Sequence, residues 1–143
     1  ISFSGLNTQA LLAVSADISI KEICSLPRGC HNAMMFADGV IFNDTGADNV
    51  RYVSRSSAAV QVHVPIFPSA ELNFMGVDDS KIARQGFGRG LCILDDDLVA
   101  AGSSPSTVSI IDIVKGERLN AVNLTMDIRN AIHGLECWPA EWS

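Results

Sequence analysis

Residues 31–66 lie over residues 89–124 without a gap, 36 positions at an offset of 58. Identities are few, but residue classes follow one another. Ala33 falls on Leu91, Met35 on Ile93, Val40 on Leu98, Ile41 on Val99, Val50 on Val108, Tyr52 on Ile110, Val53 on Ile111, Val64 on Val122 and Ile66 on Leu124. A chain that repeats its apolar pattern at a fixed period folds as stacked copies of one supersecondary unit, each burying what the next leaves bare.

Turn residues coincide as well. The stretches ADG or DDD, DTGADN or GSSPST, and SSAA or VKGE cut each copy into four short runs of Val, Ile and Leu. Runs of four to seven such residues between turn clusters read as strands. Each copy is therefore expected to be a four-stranded antiparallel meander, A to D, making the chain all-β. VIF, LCIL and VSIIDI are apolar on both faces of the strand, which suits a sheet covered on both sides.

The two ends read together as a third copy. Residues 1–26 match strands B, C and D at an offset of 39, with Ile1 on Val40, Phe3 on Phe42, Leu11 on Val50 and Val14 on Val53, and one deletion before strand D. HGLECW, residues 133–138, matches strand A, with His133 on His31 and Leu135 on Ala33. The expected organisation is one domain over 1–143, with units at 31–66 and 89–124, a composite unit of 133–138 with 1–26, and a long connection at 67–88.

HNAMMFADGVIFNDTGADNVRYV and TVSIIDIVKGERLNAVNL resemble β-propeller repeats, particularly the six-bladed NHL-repeat and gluconolactonase-like groups and the YVTN-type repeats. The resemblance covers nearly the whole chain and implies a propeller of three four-stranded blades per chain. In such rings the last blade is commonly closed by a C-terminal strand A and N-terminal strands B to D. Propellers have four to eight blades, so three leave the ring incomplete. A second identical chain related by a two-fold axis would complete six, each HGLECW joining the partner's residues 1–26 and removing two open sheet edges. The rival expectation is half of a longer polypeptide.

Composition bounds the partners. The chain is 48% hydrophobic and 18% charged, yet charge or turn residues interrupt every apolar run well short of the roughly 20 residues of a membrane span. The excess apolar surface belongs inside the fold or in an interface, and no membrane partner is expected. A net charge of -6 without a Lys/Arg cluster opposes nucleic acid binding. Cys24, Cys30, Cys92 and Cys137 form no C-x-x-C pair and read as free thiols, which slightly favours a reducing, cytoplasmic compartment. The chain starts at Ile1 without Met or a signal pattern, so its N-terminus says nothing of compartment. The sequons at Asn43 and Asn123 are short enough to arise by chance.

In propellers of this kind the A strands line a central channel, and the D-to-A and B-to-C loops share the face where ligands bind. The starts of the three A strands are His31, Arg89 and His133, in equivalent positions. Arg28, Arg84 and Arg129 fall on or beside that face, and their forked donors suit a carboxylate or phosphate. Asn32, Asp44 and Glu136 complete the candidate set. His31 and His133, with Asp44 or Glu136, have the donor types of a divalent metal site, although the simpler role for the histidines is bonding backbone at a crowded strand start. NDTGADN is a B-to-C turn whose counterpart AGSSPST has no acid, so a repeated calcium loop is excluded. Asn, Asp and Gly are there for the turn itself. His63 belongs at an outer blade edge, and Trp138 and Trp142 anchor the C-terminus. In the connection 67–88, DDSKIARQ suits a short helix capped by Asp78 or Asp79, and the whole reads as a lid or a contact with a second chain.

Two functions follow. The first is a non-enzymatic module binding a small ligand or a protein at the channel and loop face, with no cofactor. The alternative is the metal-dependent lactone hydrolysis that the gluconolactonase-like resemblance implies, using His31, His133, Asp44 and Glu136 as ligands and Arg89 as an oxyanion partner. This sequence lacks the Glu, two Asn and Asp from separate blades that such a site would need at matching positions.

Overall fold

The computed structural model describes residues 2–4, 8–56, 58–77 and 84–138. The described chain is all-β, with eleven strands in three antiparallel sheets. The first holds β1 (Ser2–Ser4), β2 (Ala10–Val14) and β3 (Ile20–Ser25) in sequence order. The second is the meander β4 (Cys30–Phe36), β5 (Gly39–Asp44), β6 (Asn49–Ser54) and β7 (Ala59–His63). The third is the meander β8 (Gly90–Ile93), β9 (Leu98–Ser103), β10 (Thr107–Asp112) and β11 (Glu117–Asn123). Among the described residues no helix is long and apolar enough to cross a membrane.

The second sheet sits between the other two, and the period of two along a strand explains how. Every residue of β5 is buried. Ile41 packs with Val50, Val62, Val99 and Ile111 in a core shared with the third sheet. Its neighbours Val40 and Phe42 pack with Leu11, Leu26 and Cys30 in a core shared with the first. Each fully buried aliphatic side chain contributes about 1.5–3 kcal/mol, so β5 serves both interfaces and could not be half-polar.

The gapless alignment needs correction at β9 and again at β11, where Val122 lies opposite Val108 as Val62 lies opposite Val50. β6 and β10 occupy corresponding positions at an offset of 58, but β5 and β9 correspond at 59, because the turn after β9 is Ser104 to Ser106 where that after β5 is Thr45 to Asp48. The pairing of Ile41 with Val99 is therefore off by one. Ile41 faces forward to the third sheet, whereas Val99 faces back to the second. One residue of slip exchanges the faces of a strand, and the longer 94–97 turn before β9 absorbs the difference.

HGLECW is expected to pair with residues 1–26 of a second chain, and within one chain it stands apart from them. No strand forms over 133–138, and among the described residues the β1–β3 sheet has no fourth strand. Within one chain those strands lie on the far side of the second sheet, so the segment has nothing to pair with. It lies instead on the outer side of the third sheet: a Cβ on Gly102 would stand 2.6 Å from Ile132 Cγ2, and one on Gly90 would stand 3.2 Å from Leu135 Cγ. Trp138 is 69% exposed, against the expected anchoring role. Trp142, Asp78 and Asp79 lie outside the described residues.

The four thiols are free. Cys30 is buried in the core between the first and second sheets, where burial and the charge of Asp44 push its thiol up to about 12. Cys24 packs at the same core, and Cys137 is exposed. Asn43 is fully buried and donates through Nδ2 to Gly90 O at 3.0 Å, so that sequon serves packing.

Candidate functional site

At the end of the stack where β4 and β8 begin, four segments converge: the turns after β5 and β9, residues 84–90, and residues 125–133. The long connection supplies the mortar. Thr45 Oγ1 donates to Gly88 O at 2.7 Å, Gly86 N donates to Ser104 O at 2.9 Å, and Ser104 Oγ donates to Arg84 O. Asn73 pairs with Asp127 in a parallel bridge. The described parts of 67–88, with 3-10 turns at Ser69–Glu71 and Met75–Val77, are thus fastened to this chain's own turns.

Phe87 is the hub of the site. The Arg89 guanidinium lies 4.5 Å from its ring centroid and that of Arg84 5.2 Å, while the His31 ring packs at 5.9 Å. Stacking of guanidinium on an aromatic face holds the planar fork in orientation. Arg84 is consumed by structure: its Nη1 bonds Asp48 at 2.6 Å and Gln85 O at 2.9 Å, and its Nη2 bonds Thr45 O at 2.5 Å. Arg129 is forked onto Asp127, with Nη2 to Oδ2 at 2.6 Å, and lies 3.5 Å over Phe74.

Arg89 differs. Its side-chain hydrogen bond runs from Nη1 to His133 Nδ1 at 3.3 Å. Guanidinium only donates, so His133 accepts there and holds its proton at Nε2. Among the described residues Arg89 has no carboxylate partner within ion-pairing distance. Phe87, Arg89, Ser104, Ile128, Arg129, Ala131 and His133 line a cavity of about 210 Å³. His31 is half-buried behind Phe87, and its Nε2 is buried without a hydrogen-bond partner among the described residues. Burial first, then the charge of Arg89, lowers its pKa from the ordinary histidine value.

The structure brings His31, Arg84, Arg89, Arg129 and His133 to one end. Asn32 is exposed on β4 with φ of 55°. Asp44 is on the other face of β5, paired in register with Cys30 and 3.6 Å from Arg51, because Asn43 takes the place opposite His31. Glu136 is exposed and acts on Cys92. The four metal candidates are therefore not gathered, and the described residues contain no group of three or more His, Cys, Asp or Glu able to hold a metal. His63 is exposed at the end of the outer strand β7, where its carbonyl accepts from Arg118 Nη1 at 2.9 Å. Sequence reasoning missed Phe87 and Ser104. The G-F-G-R-G run around Phe87 was the available signal: a lone aromatic among glycines, between Arg84 and Arg89.

The Asp127–Arg129 fork gives a pH expectation. Hydrogen bonding to Arg129 lowers the Asp127 pKa, as bonding to Lys115 lowers that of Asp112. A depressed carboxylate stabilises the fold above the unfolded-state pKa and ceases to do so as pH falls through the folded one. Urea midpoints taken from pH 6 down to pH 2 are expected to fall further in the wild type than in Asp127→Asn. Parallel curves would contradict this.

No protein-family model matches the chain, and no curated protein matches it.

Proposed function

We propose that this chain is a half-ring of a β-propeller, completed to six blades by a second copy, and that it binds a small carboxylate- or phosphate-bearing ligand where β4 and β8 begin. Arg89 carries the ligand reading. It is a cation held on an aromatic face at a cavity wall, without a carboxylate partner among the described residues, in a chain of net charge -6. Such a guanidinium has its donors available for an anion. His133 adds a neighbouring donor group and Ser104 a polar wall. No observation favours the hydrolase reading, whose ligands stand apart.

The ring reading is supported by equivalent positions. In the second sheet Val50 and Val62, opposite one another in register, are covered by the third sheet, at 0% and 7% exposure. Their counterparts in the third sheet, Val108 and Val122, face outward, opposite one another in register, and Val122 is 56% exposed. A face built to be covered is thus left open. Residues 131–138 lie on that face as β8 lies on the second sheet: Ile132 fills the space above Gly102 as Gly88 and Gly90 meet Asn43. In the proposed dimer this segment becomes the fourth strand of the partner's β1–β3 sheet.

Calorimetric titration with citrate and with inorganic phosphate at low ionic strength tests the ligand class. Saturable binding is expected for at least one, weakened about tenfold to a hundredfold in Arg89→Ala, since a hydrogen bond to a charged group contributes about 1.5–3 kcal/mol. Binding unaffected by Arg89→Ala, or no saturable binding of either anion, would overturn it.

A further inference from the structure

We infer that Cys92 and Cys137 are a redox-active dithiol that closes to a disulfide and fastens the segment 131–138 to β8. The inference stands on its own geometry and does not rest on the ring or on the ligand. Cys92 Sγ and Cys137 Sγ are 3.5 Å apart, across 45 residues of sequence, and both thiols converge on one acceptor, Ile93 O, at 3.5 and 3.6 Å. A disulfide needs the sulfurs about 1.5 Å closer than this, at about 2.05 Å. Cys92 is held in the β8–β9 ladder opposite Ala100, whereas Cys137 belongs to a segment that makes no ladder bonds within its own chain.

The two thiols have different exposures and so different parts in the reaction. Cys137 is exposed, and Cys92 is half-buried beside it, with burial first and the neighbouring Cys137 next pushing its thiol above the ordinary value. Thiolate is the attacking form. With a small-molecule disulfide as oxidant, Cys137 loses its proton and attacks one oxidant sulfur, whose partner sulfur leaves as thiolate. Cys92 then loses its proton and attacks Cys137 Sγ in the mixed disulfide, expelling the second small thiolate. One protein disulfide forms, and the two electrons end on the two small thiols. Cys30, buried and with its pKa pushed to about 12, does not compete.

Incubation of the full chain with oxidised glutathione, followed by acid quench, alkylation and peptide mapping, tests this. The expected product is one intramolecular link joining the peptides of Cys92 and Cys137, with Cys24 and Cys30 still alkylatable after denaturation. Cys92→Ser is expected to stop at a glutathione adduct on Cys137. Cys137→Ser is expected to react at Cys92 at least about tenfold more slowly, with the exposed entry thiol gone. Because Cys137 is exposed, that variant should keep the wild-type circular dichroism spectrum. A stable glutathione adduct on wild-type Cys137, a link between two chains, or a link to another cysteine would overturn the inference.

Discussion

Gly39→Ala is expected to destabilise the protein by about 3 kcal/mol or more, the upper range for forced overpacking. Gly39 opens β5 and pairs with Ser54 on β6. A Cβ there would collide with the Val53 carbonyl oxygen and stand 2.7 Å from Ser54 Cα. Paired backbone cannot yield as a side chain can, so β5 would have to part from β6 at its first pair. Because β5 packs against both neighbouring sheets, the disturbance reaches both cores. Gly134→Ala is the matched control: its Cβ would meet nothing within 4 Å, and its effect should stay within about 0.5 kcal/mol. Urea denaturation followed by circular dichroism at one fixed protein concentration measures both. Equal midpoints for the two variants would refute the close approach.

The second large effect is that of Ile41→Ala, expected at about 3–4 kcal/mol. Ile41 is fully buried in the core between the second and third sheets, among Val50, Val99 and Ile111. Removing its branched end leaves a cavity walled by strands of two different ladders, which cannot both move inward. Val114→Ala, at a 71% exposed site on the turn before β11, should be nearly silent by the same assay. A loss under 1 kcal/mol for Ile41→Ala would mean that the sheets do not meet at this residue.

The strands were legible because runs of β-formers between Gly, Asp, Asn and Ser clusters leave little choice, and eight of them repeat in kind. The face each residue takes was less legible. Val99 lies on Ile41 in the alignment but faces the opposite way, because one residue lost from the turn after β9 shifts the whole strand. The same parity removed Asp44 from the candidate site: only the register shows that Asn43, not Asp44, lies opposite His31. The C-terminal segment forms no strand within its own chain for another reason. Its pattern matches strand A, but a ladder needs a partner, and none is within reach in a single chain. The arginine cluster at one end was foreseeable from equivalent strand starts. Its division into Arg84 and Arg129, held by Asp48 and Asp127, and Arg89, without a carboxylate, depends on contacts between loops that have no periodicity.

The open outer face of the third sheet and the unpaired segment beside it make the oligomeric state the decisive quantity. Native mass spectrometry supported by light scattering should give a species of twice the chain mass. Gly102→Val, which fills the space of Ile132, should shift that species toward the monomer. A wild type of single chain mass at all workable concentrations would contradict a ring closed by two copies.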